Sequence, residues 1–216
     1  MIKKFIDKLL SKANTVGRRS PVAVAPAYPF GQRQEIPACV HGIDPRRVDA
    51  RAVDVVAVLK CAGFAASIVG GAVRDVRLGL RPKDFDVATD ATPEEVKSLF
   101  RRAFIIGKRF RIVHVVHGRG GENEVIEVAT FRAQVDNVAA EQVSGNEKTS
   151  RNALAGMTHA VGSSGRVLRD NVWGPQDEDA TRRDFTLNAM YYDPETQIVV
   201  DYHHGMDDAR QKTLRM

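Results

Sequence analysis

Two short stretches decide what this chain folds into: IVGGAVRD at residues 68–75 and KDFDVATD at residues 83–90. The first runs from apolar residues into two glycines, which predicts a buried strand that turns directly into a helix. The second alternates acidic with apolar residues, so Asp84 and Asp86 face one side of a strand and Phe85 faces the core. Glycine backbones can approach phosphate oxygens closely, and paired carboxylates attract cations. Together the two stretches predict a site for a metal-bound polyphosphate.

A third carboxylate strengthens this prediction. Glu127 interrupts the apolar stretch VIEVATF in the same alternating way. A solvated strand end can carry Asp84 and Asp86 alone, but a glutamate on a second strand favours a shared site. Hard carboxylate oxygens suit Mg²⁺, and three acidic ligands can hold two ions about 3.5–4 Å apart. His203 and His204 match no zinc-binding spacing, so we do not assign them as ligands.

The composition is that of an ordinary globular protein with a basic balance. The 216 residues suffice for one sizeable core, 43% of them are hydrophobic, and the formal net charge is +5. A basic chain of this kind can bind a polyanion such as RNA or DNA. No stretch approaches the roughly 20 apolar residues of a membrane span, so we expect no stable membrane insertion. Cys39 and Cys61 form neither a CxxC pair nor a disulfide framework, which indicates a reducing, cytoplasmic environment.

The chain divides into an N-terminal extension and one domain. Residues 1–42 are predicted to be a flexible basic extension and linker, because a short amphipathic segment is followed by prolines without a periodic pattern. Residues 43–216 are predicted to form the domain. Within it, residues from about 133 to 168 contain few large apolar side chains, which predicts a long mobile loop.

The order of elements predicts an α+β, or mixed α/β, fold. A helix is predicted from an Asp44 cap to Gly63, and TPEEVKSLFRRA carries the signals of a helix start. FAASIVGG, DFDVAT and QIVVDYHHG are predicted strands. FIIGKRFRIVHVVHG and VIEVATFR are predicted to form a hairpin, so the sheet is not purely parallel. The stretch EDATRRDFTLNAMYY is predicted to be helical.

These motifs also resemble a known family. IVGGAVRD, GLRPKDFDVATDATPEEV, IEVATFR and EDATRRDFTLNAM, in this order, look like the class II nucleotidyltransferases of the DNA-polymerase-β-like superfamily. This group contains bacterial poly(A) polymerases and tRNA CCA-adding enzymes. The segments GKRFRIVHV, IEVATFR and LRDNVWG resemble the poly(A) polymerase branch. The CCA-adding branch more often has an HGT-like segment where this chain has Phe110, Arg111 and Ile112.

The resemblance implies a fold, a reaction and a set of residue roles. It implies a polymerase-β-like head, a small mixed sheet flanked by helices, that adds AMP from ATP to RNA 3′ ends without a template. It implies that Asp84, Asp86 and Glu127 are catalytic and bind two Mg²⁺ ions. Nucleotide-binding roles are implied for Gly70, Gly71, Arg74, Asp75, Arg182, Arg183, Asp184 and Asn188. A basic cluster, Lys108, Arg109 and Arg111, is expected to hold RNA or the triphosphate.

Two other functions stay open at this point. The first is a tRNA CCA-adding nucleotidyltransferase, against which the segment from Phe110 to Ile112 speaks. The second is a catalytically silent RNA-binding fragment. It arises because members of the family run well beyond the length of this chain, and their base-selecting and RNA-holding parts lie there. We therefore expect the C-terminal RNA-binding part to be missing, and we expect the chain to be a monomer.

Overall fold

The computed structural model describes most of the predicted domain. It covers residues 29–107, 110–118, 124–133, 141–143, 159–162, 167–170 and 172–216, with the backbone alone described for 141–143, 159–162 and 167–170. The predicted N-terminal amphipathic segment lies outside the described residues, as do Lys108 and Arg109. In the described ranges, no helix combines the length and the apolar character that crossing a membrane requires.

Most of the strands form one mixed sheet. They are β1 (Gln34–Pro37), β2 (Ala66–Val69), β3 (Asp86–Thr89), β4 (Ala103–Ile106), β5 (Ile112–His117), β6 (Glu124–Thr130), β10 (Met190–Asp193) and β11 (Ile198–Asp201), in the spatial order β1-β11-β10-β2-β3-β6-β5-β4. In this sheet β3 and β6 run parallel, and the other described neighbours pair antiparallel. The predicted mixed α/β class and the β5–β6 hairpin are confirmed.

The helices connect and cover these strands. They are α1 (Ala38–His41), α2 (Ala50–Cys61), α3 (Gly71–Arg77), α4 (Pro93–Leu99), α5 (Gln176–Thr181) and α6 (Gly205–Gln211), with 3₁₀ turns at Pro45–Arg47 and Thr186–Asn188. The predicted start of α4 is confirmed by a capping box between Thr92 and Glu95. The first predicted helix is divided, because Val48 is extended (φ −83°, ψ 136°), so Asp44 caps the 3₁₀ turn and Asp49 caps α2.

One face of the sheet forms the main core. The strand registers align a row of apolar side chains across all eight strands: Ile36, Val199, Tyr192, Ile68, Val87, Val128, Val113 and Ile105. Buried residues of α2, α3 and α4 pack against this row in one cluster. Burial of these large apolar groups is the main source of stability of the domain.

The neighbouring row on the opposite face divides into two halves. Its first half, Val200, Tyr191 and Val69, is buried in a second cluster with Phe131 and Ala180 of α5. Its second half, Asp86, Glu127, His114 and Phe104, follows in register across β3, β6, β5 and β4. This second half is partly or fully exposed. The two acidic residues therefore lie where the covered half of this face meets the open half.

The helix predicted for EDATRRDFTLNAMYY is wrong beyond Thr181. The α-helix ends at Thr181, a 3₁₀ turn follows, and β10 (Met190–Asp193) lies in the sheet between β2 and β11. Tyr191 and Tyr192 are almost fully buried there. Aromatic residues favour strands, and pairing with two neighbouring strands outweighed the helical spacing of the apolar residues.

The boundary of the predicted linker also needs correction. Within the stretch predicted as linker, Gln34–Pro37 forms the edge strand β1, paired antiparallel with β11. The adjoining His41 is fully buried, accepts from the backbone N–H of Ile43 and contacts the carbonyl of Gln197 (2.9 Å). A strand of four residues that ends in proline is too short to give a periodic signal.

Part of the predicted loop from about 133 to 168 is also regular. Three short strands, β7 (Glu141–Val143), β8 (His159–Gly162) and β9 (Val167–Asp170), form a separate small sheet. β7 and β8 pair parallel, whereas β8 and β9 pair antiparallel. The prediction that this segment is without strands is therefore wrong, and most of its remaining residues lie outside the described ones.

A buried carboxylate holds α6 against the sheet. Asp201 at the end of β11 is fully buried and accepts from the backbone N–H groups of His203 (3.0 Å), Gly205 (3.1 Å) and Met206 (2.8 Å). A Cβ on Gly205 would lie 2.2 Å from the carbonyl oxygen of Thr186, so α6 presses directly on the 3₁₀ turn at Thr186–Asn188. Asp201 thereby also fixes the turn that carries Asn188.

We expect Asp201→Asn to destabilise the domain. An amide replaces one acceptor oxygen by a donor that faces backbone N–H groups, so buried groups lose partners, and the free energy of unfolding should fall by about 2–4 kcal/mol. Urea denaturation measures this change. Asp207→Asn is the matched control, because Asp207 lies on the same helix in an exposed ion pair with Arg210. Equal effects of the two substitutions would contradict the proposed anchor.

Candidate active site

The pairing of β3 with β6 brings the acidic residues together. In this parallel pair Asp86 lies beside Glu127, so both side chains leave the same face of the sheet. On the other side of Glu127, the Nε2 atom of His114 is 3.3 Å from Glu127 Oε1. Asp84 differs from the prediction, because β3 begins only at Asp86 and Asp84 therefore precedes the strand. All three carboxylates are exposed.

The pKa of Asp86 reflects the desolvation and the repulsion within this arrangement. Its pKa is raised above the ordinary value, first because surrounding atoms desolvate the carboxylate and then because Glu127 repels its charge. Asp84 raises the pKa further, whereas the guanidinium of Arg183 lowers it. Asp86 is thus a position where a proton or a cation is favoured.

The donor chemistry of the three carboxylates fits a hard divalent cation such as Mg²⁺. Their predicted convergence is only partial, however. Within the part of the chain that the structure describes, no three Asp, Glu, His or Cys side chains are gathered closely enough to hold a metal ion. The register pairs Asp86 with Glu127, but like charges repel, and exposed side chains are free to turn apart. Coordination by all three would require rotation of these side chains.

The two glycines lie directly beside the acidic pair. Gly70 has a positive φ of 79°, and a Cβ added to it would lie 3.5 Å from Asp86 Oδ2 and 4.0 Å from Arg183 Nη1. Gly71 is the first residue of α3. The chain therefore turns from β2 into α3 with bare backbone facing the carboxylate and the guanidinium. A side chain at Gly70 would be strained and would narrow this gap.

Three of the predicted residues form one polar group next to this turn. Arg74 Nε donates to Asp75 Oδ1 (2.8 Å), and Arg74 Nη1 donates to Asn188 Oδ1 (2.9 Å). Asn188 belongs to the 3₁₀ turn, more than a hundred residues from Arg74 in the chain. The structure therefore joins α3 to the 3₁₀ turn through side chains that were predicted separately.

Arg183 is held by a buried network that the sequence did not indicate. Its Nη2 donates to Asp179 Oδ2 (3.0 Å), its Nε donates to the Tyr191 hydroxyl (3.2 Å), and that hydroxyl donates to Asp179 (2.8 Å). Burial raises the pKa of Tyr191 far above its ordinary value, so the hydroxyl stays protonated as a donor. Asp179 also accepts from the backbone N–H of Arg132. A local signal for Asp179 is its spacing, since it lies four positions before Arg183, the separation of ion-paired neighbours in a helix, although the helix itself ends at Thr181.

The remaining predicted residues are placed differently. Arg182 is partly buried and Asp184 is exposed, whereas Arg183 points to Gly70 and Asp86. Arg111 forms an ion pair with Glu94 of α4. Phe110 lies under the guanidinium of Arg132, with 4.8 Å between the guanidinium carbon and the ring centroid. Lys108 and Arg109 lie outside the described residues, so the predicted basic cluster remains a prediction.

The arrangement brings a carboxylate pair, bare glycine backbone and a fixed guanidinium together. Comparison with known proteins shows the family to which this chain is similar. Residues 66–215 match the family model described as the poly(A) polymerase head domain. A poly(A) polymerase I from Haemophilus influenzae is 42% identical over 84% of this chain and 36% of its own length. A CCA-adding enzyme from Staphylococcus aureus is 34% identical over 71% of this chain and 31% of its own length.

A solved structure shows the same relation. The crystal structure of the Bacillus stearothermophilus CCA-adding enzyme in complex with CTP aligns with a TM-score of 0.53 and 29% identity. The alignment covers 77% of this chain and 33% of that one. The chain thus spans about a third of the length of these relatives.

The raised pKa of Asp86 predicts how this residue affects the free energy of unfolding. Its raised pKa means that the folded state holds the proton more tightly than the unfolded state, so the ionised carboxylate destabilises the fold above its folded-state pKa. We therefore expect Asp86→Asn to raise the free energy of unfolding at pH 7. This gain should shrink as the pH falls and vanish below the ordinary carboxylate value of 3.8.

Urea denaturation across the pH range measures this effect. Asp54→Asn is the matched control, because Asp54 is an exposed aspartate on α2 and its replacement should change stability by no more than about 0.5 kcal/mol. A stability loss in Asp86→Asn at pH 7 would contradict the electrostatic account.

Proposed function

The chain belongs to the family of poly(A) polymerase head domains, and we propose on that basis that it is a template-independent nucleotidyltransferase. It would transfer AMP from ATP to the 3′-hydroxyl of an RNA. The observation that carries this proposal is the carboxylate pair of Asp86 and Glu127, which the β3–β6 register sets beside Gly70 and the guanidinium of Arg183. An acidic pair that faces bare backbone and a fixed arginine suits a nucleoside triphosphate bound through a cation.

The acidic residues would serve as the metal site. Asp84, Asp86 and Glu127 would hold Mg²⁺, which when bound offsets their mutual repulsion and the charge of the triphosphate and favours deprotonation of the attacking hydroxyl. Two ions are the number that three such ligands can hold. The raised pKa of Asp86 supports this role, because a cation relieves the repulsion that raises it.

The opposite side of the site would bind the nucleotide. The backbone at Gly70 and Gly71 can approach the phosphates, and Arg183 would stabilise the negative charge that develops on them. Arg183 is held in advance by Asp179 and Tyr191, so little reorganisation is needed when the charge develops. We further propose that Arg74 and Asp75, with Arg182, Asp184 and Asn188, shape the pocket for the ribose and the triphosphate.

The transfer itself needs positioning more than covalent chemistry. The RNA 3′-oxygen attacks the α-phosphorus of ATP, the bond to the bridging oxygen of the β-phosphate breaks, and pyrophosphate leaves. The chain contributes by orienting both reactants and by stabilising charge on the phosphates. Free, exposed Cys39 and Cys61 are consistent with a cytoplasmic setting, where ATP and RNA are present.

CCA addition is the second candidate function. It is supported by the similarity to the Staphylococcus aureus and Bacillus stearothermophilus CCA-adding enzymes, the latter solved with CTP. The higher identity to poly(A) polymerase I favours adenylation. The two functions differ in whether CTP is used and in whether the acceptor must be a tRNA.

A nucleotide-incorporation assay tests the proposal. The chain is incubated with Mg²⁺, labelled ATP or CTP, and two acceptors: an A-ended RNA oligonucleotide and a tRNA that lacks its terminal CCA. We expect extension of the oligonucleotide with ATP alone. We expect the extension rate to fall at least about 100-fold in Asp86→Asn, because this change removes one negatively charged ligand from the carboxylate pair. Incorporation of CTP confined to the tRNA would establish CCA addition instead.

Binding of Mg²⁺-ATP, followed by calorimetry, serves as the second readout of the same proposal. Binding without extension would support the proposed nucleotide site. It would contradict only the proposal that this chain alone transfers AMP. Absence of both binding and extension would contradict the proposed function altogether.

Arg183 offers a sharper test of the nucleotide pocket. We expect Arg183→Lys to weaken ATP binding by about tenfold, because a lysine keeps the charge but cannot reach both Asp179 and Tyr191 while facing the phosphates. Arg210→Lys is the matched control on an exposed ion pair. Urea denaturation of both variants separates lost binding from lost folding, and unchanged ATP affinity in a folded Arg183→Lys protein would argue against this role.

A further inference from the structure

A cleft of about 980 Å³ opens beside Asp84. It lies between the start of α2, the segment that leads into β3 and the start of β6. Its volume is at the upper end of the range for small-ligand pockets, which leaves room for more than one nucleotide. The proposed nucleotide pocket does not account for it, because Gly70, Gly71 and Arg183 are not among its lining residues.

The cleft has an excess of positive charge. Five basic side chains line it, Arg46, Arg47, Arg51, Arg81 and Lys83, against three acidic ones, Asp49, Asp84 and Glu124. Two of the arginines are already engaged: Arg46 pairs with Asp44, and Arg51 pairs with Asp49 and Glu124. Ion pairs of this kind leave little charge for a ligand.

Three basic residues remain available to a ligand. Arg47, Arg81 and Lys83 are exposed, and within the described residues none of them forms an ion pair. A Cβ on Gly79 would lie 3.4 Å from Arg47 Nη1, which places the Arg47 guanidinium against the turn that leads to Arg81 and Lys83. The three cations therefore gather around one short segment that ends at Asp84.

The apolar lining of the cleft suits a nucleic acid better than a free anion. Leu80 and Val125 both line the cleft and both are exposed, at 55% and 39%. Exposed apolar surface beside exposed cations can contact riboses and bases while the cations contact phosphates.

We propose that this cleft binds the phosphodiester backbone of the RNA just upstream of its 3′ end, with Arg47, Arg81 and Lys83 as the phosphate contacts. The inference rests on the proposed function, in which two substrates must meet at the carboxylates. Gly70 and Arg183 lie beside Asp86, whereas the cleft adjoins Asp84 and is lined by neither of them. A triphosphate bound beside Asp86 leaves the cleft at Asp84 for the strand that carries the attacking hydroxyl.

Salt-dependent RNA binding tests the assignment. Anisotropy of a short fluorescein-labelled oligo(A) RNA is titrated with the chain at several salt concentrations. Each phosphate contact to a single strand contributes about −0.7 to the slope of log affinity against log salt, so replacing all three cations should flatten the slope by about 2. The test variant is Arg47→Gln/Arg81→Gln/Lys83→Gln. The matched control is Lys97→Gln/Arg210→Gln/Lys212→Gln, which removes the same charge from exposed positions elsewhere.

The expected result is a flattened slope and weaker RNA binding in the test variant, with the control close to the wild-type chain and ATP affinity retained in both. An equal change of slope in the test and control variants would mean that only the net charge of the chain matters, which would overturn the proposal. Lost ATP affinity with unchanged RNA binding would assign the cleft to the triphosphate and also overturn it, as would absence of RNA binding by the wild-type chain.

These binding measurements need no turnover. A flattened slope in a chain that transfers no AMP would support the cleft while contradicting the proposed function. AMP transfer with an unchanged slope would do the reverse. Unfolding curves for all three proteins confirm that the comparison is made between folded chains.

Discussion

The register between β3 and β6 is the constraint on which both the core and the site depend. In this pairing Val87 lies beside Val128 on the buried face, and Asp86 lies beside Glu127 on the other face. Because side chains alternate, a slip of one residue would move Glu127 into the core and expose the valine. The apolar packing that excludes this slip therefore also fixes the two carboxylates side by side. The apolar packing of the core therefore keeps the two negatively charged side chains next to each other despite their repulsion.

This packing is needed because the repulsion and desolvation at Asp86 lower the free energy of unfolding. The raised pKa of Asp86 reflects desolvation and repulsion that the domain must overcome elsewhere. The compensating contacts lie around the site. Arg183 lowers the repulsion at Asp86 and is itself held by Asp179 and Tyr191 of the second apolar cluster. Asp201 anchors α6 and, through it, the turn that holds Asn188 against Arg74. The site is thus supported by two separate buried anchors, the Arg183–Asp179–Tyr191 network and Asp201.

The elements of the fold could be predicted from the sequence where the pattern that indicates them lies within a few neighbouring residues. The strand before the glycines, the capping box of α4 and the alternation around Asp86 and Glu127 each lie within a few residues, and they predicted these elements correctly. The metal and nucleotide chemistry that these residues indicate stays a prediction. The strand β10 was predicted as a helix because its identity depends on two distant neighbours, β2 and β11. The hydrogen bond from Tyr191 to Asp179 was missed for the same reason, since these two residues meet only in the folded structure. The β3–β6 contact could be proposed, but its register could be known only from the structure.

In the proposed function two substrates must reach the acidic pair, and its position on the sheet bears on how they could. One half of this sheet face is covered by α5 and its apolar cluster, and the other half is open. Asp86 and Glu127 lie at the boundary between these two halves, so the pair can be reached from the open half of this face. Positive groups lie near both aspartates, Arg183 by Asp86 and the cations of the cleft by Asp84. In the proposed function both substrates are polyanions, so such a distribution would attract both of them toward the carboxylates.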